Sequence, residues 1–286
     1  MNRRQTGLLA LLAVAAVSLA LWMRAGSPHQ DLRQVMDRHG LGRGVIAYGV
    51  PGKPFTLVRM GAREEDRFAY YSLSKPMTAA VALTLAHEGT ISLGDEIEGA
   101  SVAQILRHAG GWDRELDGDP IEGVNEPSRC TDIQAPPRQF APGTRAAYSN
   151  LGYCLLGHLI EQRTGESFEN VVRRLLPEAQ GMSYRPALGP AGGWSGTIAQ
   201  YYRFASRPVD PEALVRPAYA PEGAFYAMGW KVLDNGTLAH YGMYDPNGYS
   251  IVFKQPGWVA VGLFTGRPAD GDAARDSLLN VLSGYR

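Results

Sequence analysis

The feature that most constrains how this chain can fold is that strand-type segments stand at both of its ends, with helical patterning between them. Near the beginning, GVIAYGV at 44–50 and FTLVR at 55–59 flank the turn sequence PGKP and read as a β-hairpin. At the far end, segments 226–233, 238–243, 249–254 and 258–265 are joined by DNG, DPNG and QPG, turn chemistry suited to an antiparallel meander. A short helix over 30–39 precedes the hairpin, and an amphipathic helix over 272–283 follows the meander. From 72 to about 205 the pattern is helical, broken by a Pro/Gly-rich loop at 110–143. Strands from both ends imply one sheet closed by the two termini, so the helices between them form an insertion. The expected fold class is therefore α/β of the α+β kind: an antiparallel sheet built from both chain ends and flanked by helices, with an inserted helical domain. One domain spans 29–286; its sheet part takes about 29–65 and 206–286, and the insertion about 66–205. A functional cleft belongs between those two layers.

The chain has 286 residues, 45% of them hydrophobic, ample for a core of that size. Its formal net charge is zero and no basic run follows the first few residues, so nucleic acid is not an expected partner. No metal-ligand cluster and no phosphate-cradling glycine loop stand in the sequence, and no cofactor is expected. The first 28 residues are different material: Arg3 and Arg4 precede a charge-free stretch from 7 to 23, and Arg24 closes it. A positive end followed by an apolar run is an export signal. It reads either as a cleaved signal peptide, with Ser18 and Ala20 offering small residues for cleavage, or as an uncleaved membrane anchor. The body is expected outside the cytoplasm, periplasmic or anchored in the inner membrane and facing the periplasm. There Cys130 and Cys154 can pair; two separate buried thiols are the alternative.

Chemistry is concentrated in three places. Only four lysines, Lys53, Lys75, Lys231 and Lys254, stand against twenty-four arginines, and Lys75 lies one helical turn after Ser72. Lys, unlike Arg, sheds its proton when buried. At a helix start, where partial positive charge favours a nascent alkoxide, a desolvated Lys75 can accept the Ser72 proton. Alone, such a pair is more often a surface coincidence. The second place is 148–150, ahead of a helix over 151–163: Tyr148 and Asn150 are two apart, and in an extended segment they point to one side. Ordinary helix capping by Ser149 or Asn150 is the bland reading. The third is HYG at 240–242 on a strand, where Gly242 marks close approach by another backbone or a ligand. His240 offers an imidazole for a carboxylate or for proton transfer, although a lone His is more often structural.

Together these motifs resemble the serine β-lactamase and penicillin-binding-protein superfamily, nearest its class C β-lactamase and D-alanyl-D-alanine carboxypeptidase branch. The matching pieces are SLSKPMTA at 72–79, EGTISLGD at 88–95, ILRHAGG at 105–111, FAPG at 140–143, YSNLGY at 148–153 and HYG at 240–242, in that order. The resemblance implies a β-lactamase/transpeptidase-like fold with Ser72 as acylated nucleophile and Lys75 and Tyr148 sharing its proton. It further implies Asn150, His240 and Gly242 at the substrate, and an oxyanion hole from the backbone N–H groups of Ser72 and Met243. His240 stands where β-lactamases of this branch carry Lys, which points to peptidases and esterases instead. The expected function is an exported serine hydrolase, a monomer, acting through an acyl-enzyme on D-amino-acid peptides or carboxylic esters. Two other readings stand beside it: a true β-lactamase, and a non-catalytic membrane-anchored penicillin-recognition or sensor domain. Small-molecule or peptide substrates are the expected partners, with the membrane added if the first segment stays uncleaved.

Overall fold

A computed structural model describes residues 28–118, 121, 128–244 and 248–285. The expected export segment and the centre of the DPNG turn lie outside the described residues. Helix α1 (Pro28–Arg38) leads into strands β1 (Gly44–Gly49) and β2 (Thr56–Met60). Helices α2 (Ser74–His87), α3 (Asn150–Thr164), α4 (Phe168–Leu175) and α5 (Ile198–Ala205) follow, with shorter turns between them. Strands β3 (Phe225–Tyr226), β4 (Lys231–Val232), β5 (Leu238–Tyr244), β6 (Gly248–Gln255) and β7 (Trp258–Phe264) close the sheet before helix α6 (Gly271–Ser283).

The main sheet runs β2-β1-β7-β6-β5-β4-β3, antiparallel throughout, so the first hairpin pairs directly with the last strand. Gly44 lies opposite Phe264 and Gly49 opposite Val259. Both faces of the sheet are covered, and alternate residues therefore serve two cores. Val45, Ala47, Val259, Val261 and Leu263 belong to a core shared with the helical layer. Ile46, Ile251, Phe253 and Ala260 face the other way, against Leu32 and Val35 of α1 and Leu278 and Leu282 of α6. Every residue of β7 is buried, as a central strand between two layers requires. Among the described residues no helix is long and apolar enough to cross a membrane.

Two expectations are corrected. Segment 226–233 is not one strand: it breaks into β3 and β4 around Gly229, whose φ is +78°. A Cβ there would lie 2.4 Å from that of Ala79, so only glycine lets this corner press against α2. The insertion is not wholly helical either. Phe68–Ala69, Trp194–Gly196 and Ser183–Tyr184 form a three-stranded sheet, and Glu96–Ile97 pairs with Ala100–Ser101. Strands of two or three residues are too short to display a period of two in sequence. Cys130 and Cys154 form a disulfide, with their Cα atoms 5.2 Å apart, tying the turn Cys130–Asp132 to α3.

Candidate active site

Ser72 precedes the long helix, as the sequence suggested, and lies in a 3-10 turn, Tyr71–Leu73, immediately before α2. Tyr71 holds a φ of +48°, a conformation strained for an aromatic residue, so the chain bends sharply at the serine. The surroundings fix that bend: the Tyr201 hydroxyl donates to the Leu73 carbonyl at 2.8 Å, and Ser250 Oγ donates to the Tyr70 carbonyl at 2.6 Å. Strand β5 passes alongside. A Cβ on Gly242 would lie 2.6 Å from both the Ser72 nitrogen and the Tyr70 oxygen, so glycine is required for the approach, as its place in a strand implied.

Lys75, in the first turn of α2, is fully buried. Its Nζ lies 3.2 Å from Ser72 Oγ, contacts Asn150 Oδ1, and donates to the Ala191 carbonyl at 2.8 Å. Ser149 caps α3 in extended conformation, φ −142° and ψ 124°, its side chain accepting from the Gly152 N–H. Capping and chemistry thus coexist. Tyr148, just before the cap, donates to Ser72 Oγ at 2.6 Å, and Asn150, the first helical residue, turns toward Lys75. Ser72, Lys75, Tyr148 and Asn150 converge from two stretches of the chain, 72–75 and 148–150.

Burial pushes the Tyr148 hydroxyl well above the ordinary phenol range, against the opposing pull of its hydrogen bond to Ser72 and the Arg114 charge. Tyr148 is therefore a neutral phenol at rest. His108 stacks on it with ring centroids 4.4 Å apart, and His108 Nδ1 accepts the Ser149 N–H at 3.2 Å. Burial first, then the Lys75 charge, holds His108 well below the usual imidazole range. His240 behaves alike: burial, reinforced by Lys75, pushes its pKa down to about 3. Its Nδ1 lies 2.9 Å from the Tyr241 carbonyl, so the neutral ring donates there and leaves Nε2 as an acceptor. A neutral acceptor does not attract a carboxylate.

Ser72, Tyr148, His240 and Met243 line one cavity of about 280 Å³. Gly242 forms the close approach behind it, and Lys75 and Asn150 lie under its floor. Sequence reasoning missed several of its walls. Lys231, one of four lysines, lines it and did carry a signal; His108, which stacks on the Tyr148 ring without lining the cavity, lay inside a motif but carried none of its own. Arg114, Tyr226, Asp272 and Arg275 also line the cavity and reach it only through tertiary packing.

The family model described as Beta-lactamase matches residues 29–183. A beta-lactamase of Pseudomonas fluorescens is 29% identical over 213 residues, covering 66% of this chain and 58% of that protein. The probable fimbrial assembly protein FimD, serogroup H1, of Dichelobacter nodosus is 30% identical over 127 residues, 38% of this chain and 32% of that protein. This chain therefore spans about a third of that relative and 58% of the beta-lactamase. In fold it is similar to the D-amino acid amidase from Ochrobactrum anthropi SV3, with a TM-score of 0.68 and 17% identity over 91% of this chain and all of that one.

Proposed function

The chain belongs to the beta-lactamase family, in general serine hydrolases of this fold, and from that premise we propose that it forms an acyl-enzyme on Ser72. The observation that carries the proposal is the convergence on Ser72 Oγ of Lys75 Nζ at 3.2 Å and the Tyr148 hydroxyl at 2.6 Å. Lys75 has two neighbours that can only accept, Asn150 Oδ1 and the Ala191 carbonyl, and one hydroxyl that can do either. Acting as the base, Lys75 would be a neutral amine, donating two N–H groups to those acceptors and receiving the Ser72 proton on its lone pair. With Tyr148 donating to the same oxygen, the Ser72 proton is left pointing at Lys75. Ser72 then attacks the acyl carbon while its proton moves to Lys75, and the leaving group departs with a proton returned through Lys75 or Tyr148. Water hydrolyses the ester, restoring the Ser72 hydroxyl.

The oxyanion would be held by the backbone N–H groups of Ser72 and Met243. The close approach of Gly242 to the Ser72 nitrogen, which brings β5 beside it, supports that assignment. The substrates in this reading are esters or amides, including D-amino-acid derivatives, a class to which the name of the Ochrobactrum amidase also points. Neutral His240 counts against β-lactams as principal substrates. Export stays part of the proposal, supported by the Cys130–Cys154 disulfide, which belongs in an oxidising compartment. Incubation with a fluorophosphonate followed by peptide mass spectrometry should place the adduct on Ser72 and find none in Ser72→Ala. Labelling of Ser72→Ala to the same extent on another serine would refute the proposal.

A further inference from the structure

The cavity wraps around the edge of β5. Beyond Leu238 and Ala239, which pair with β4, that edge pairs with no strand among the described residues. On one side lie Ser72, Tyr148 and His240; on the other, the N-terminus of α6 packs on Tyr241 and Met243 so tightly that a Cβ on Gly271 would meet both. This second wall has the features that draw an anion: Lys231, Arg275 and the first amides of a 13-residue helix. Yet each is already engaged. Lys231 Nζ lies 3.2 Å from Asp272 Oδ1, and the guanidinium of Arg275 contacts the same oxygen. Arg275, its side chain only 8% exposed, also bonds Asp276 at 2.7 Å. The helix amides of Asp272 and Ala273 are taken by Asp270 Oδ1 at 2.9 and 3.0 Å. On the opposite rim Arg114 Nε is 3.1 Å from Glu115 Oε1.

Resting on the acyl-transfer reading and narrowing it, we infer that Asp272 is a specificity-determining residue that reserves this cavity for acyl donors without a carboxylate. A substrate carboxylate could reach Lys231 or Arg275 only by displacing Asp272, exchanging one carboxylate for another at no net gain, or by lying beside it as a like charge. A neutral acyl group needs only the aromatic walls of Tyr226 and Tyr241. His240, held neutral, supplies no compensating cation. The class selected is therefore esters and amides that carry no carboxylate, with D-amino-acid amides among them. Penicillins and peptides ending in a free D-amino acid are disfavoured.

The test compares a matched pair of esters, 4-nitrophenyl methyl succinate and 4-nitrophenyl hydrogen succinate, which differ in one carboxylate. The unaltered protein should turn over the methyl ester with a kcat/KM about tenfold or more above that of the acid. Asp272→Asn frees Lys231 and Arg275 while keeping the shape, and should move that ratio toward the acid by about tenfold, the scale of a partly exposed charge contact. Adding Lys231→Met to Asp272→Asn should reverse the gain. A wild-type preference for the acid overturns the inference, as does an unmoved ratio in an Asp272→Asn protein that turns over both esters. Should Asp272→Asn misfold, the wild-type ratio decides. Failure of the acyl-transfer reading looks different: neither ester acylates Ser72, and both proposals fall together.

Discussion

Lys75 illustrates how much rests on single side chains. Fully buried and contacting Ser72, Asn150 and Ala191, it occupies a place where a guanidinium, always protonated and forked, cannot substitute. Lys75→Arg is expected to lower kcat with a neutral ester by 10²–10⁴-fold, about as far as Lys75→Ala, the usual worth of positioned proton transfer. Steady-state kinetics on the two variants checks this, and near-wild-type turnover in Lys75→Arg would falsify the general-base role. His240 and His108 carry a prediction about acid. Both are held neutral by burial, so the unfolded chain binds protons below about pH 6.5 that the folded chain refuses. Stability is complete above the unfolded pKa and falls as pH drops toward about 3, the folded value of His240. The expected slope below pH 6.5 is up to about 1.4 kcal/mol per pH unit for each histidine. Thermal unfolding from pH 7 to pH 4 should show it, with a shallower fall in His240→Gln. By the same argument the kcat/KM of a neutral ester carries no inflection near pH 6.5 from His240.

Between elements, the contact that matters most is β5 against the turn carrying Ser72. Gly242 is what permits it, since a Cβ would stand 2.6 Å from the Ser72 nitrogen and 2.8 Å from Ser250 Oγ. Two of the three atoms it would strike are backbone, which cannot swing aside. Gly242→Ala should therefore separate the strand from the turn and open the proposed oxyanion hole. The expected result is at least a hundredfold loss in kcat, the scale of one lost oxyanion donor, with a lowered Tm. Gly236→Ala, at a turn where a Cβ meets nothing, serves as the contrast: it is strained by its φ of +77° but should leave Ser72 labelling fast. Equal effects of the two substitutions on labelling would show that backbone approach is not what Gly242 provides. Lys254 plays a purely structural part at this scale. Its Nζ donates to the carbonyls of Ala205 and Arg207 and so caps the C-terminal end of α5, while burial brings its pKa down to about 8.

At the scale of the molecule, the sheet is held shut by residues about two hundred positions apart: β1 pairs with β7 along its whole length, from Gly44↔Phe264 to Gly49↔Val259. The helical layer contributes Ser72, Lys75 and Tyr148, and the sheet contributes His240 and Met243, so neither layer holds the site alone. Removing residues 28–62 strips α1, β1 and β2 and exposes one edge of β7 and part of the sheet face that α1 covers. Such a chain is expected to lose its cooperative thermal transition and its Ser72 labelling together. A truncated chain that melts sharply by circular dichroism would show that the hairpin is an accessory rather than part of the core.

Turn chemistry, period-two segments and helix stops are local, and the sequence by itself therefore determined the order of elements, the meander from 238 to 265, and the sheet joined from both ends. The sequence also marked Ser72, Lys75, Tyr148 and Asn150, because motif spacing survives as spacing on one helix turn or one cap. Gly242 was legible for the same reason, as a glycine in a strand. The split of 226–233 around Gly229 was not, because its cause is Ala79, about 150 positions away. Nor was the charge state of His240, which depends on desolvation and on Lys75, quantities that exist only once α2, α3 and β5 are packed together. The pairing of Cys130 with Cys154 and the joining of Lys231, Asp272 and Arg275 on one wall were likewise decided by tertiary structure. Side chains meet there because of where separate elements dock, and a spacing of 41 residues between Lys231 and Asp272 carries no trace of that in the sequence.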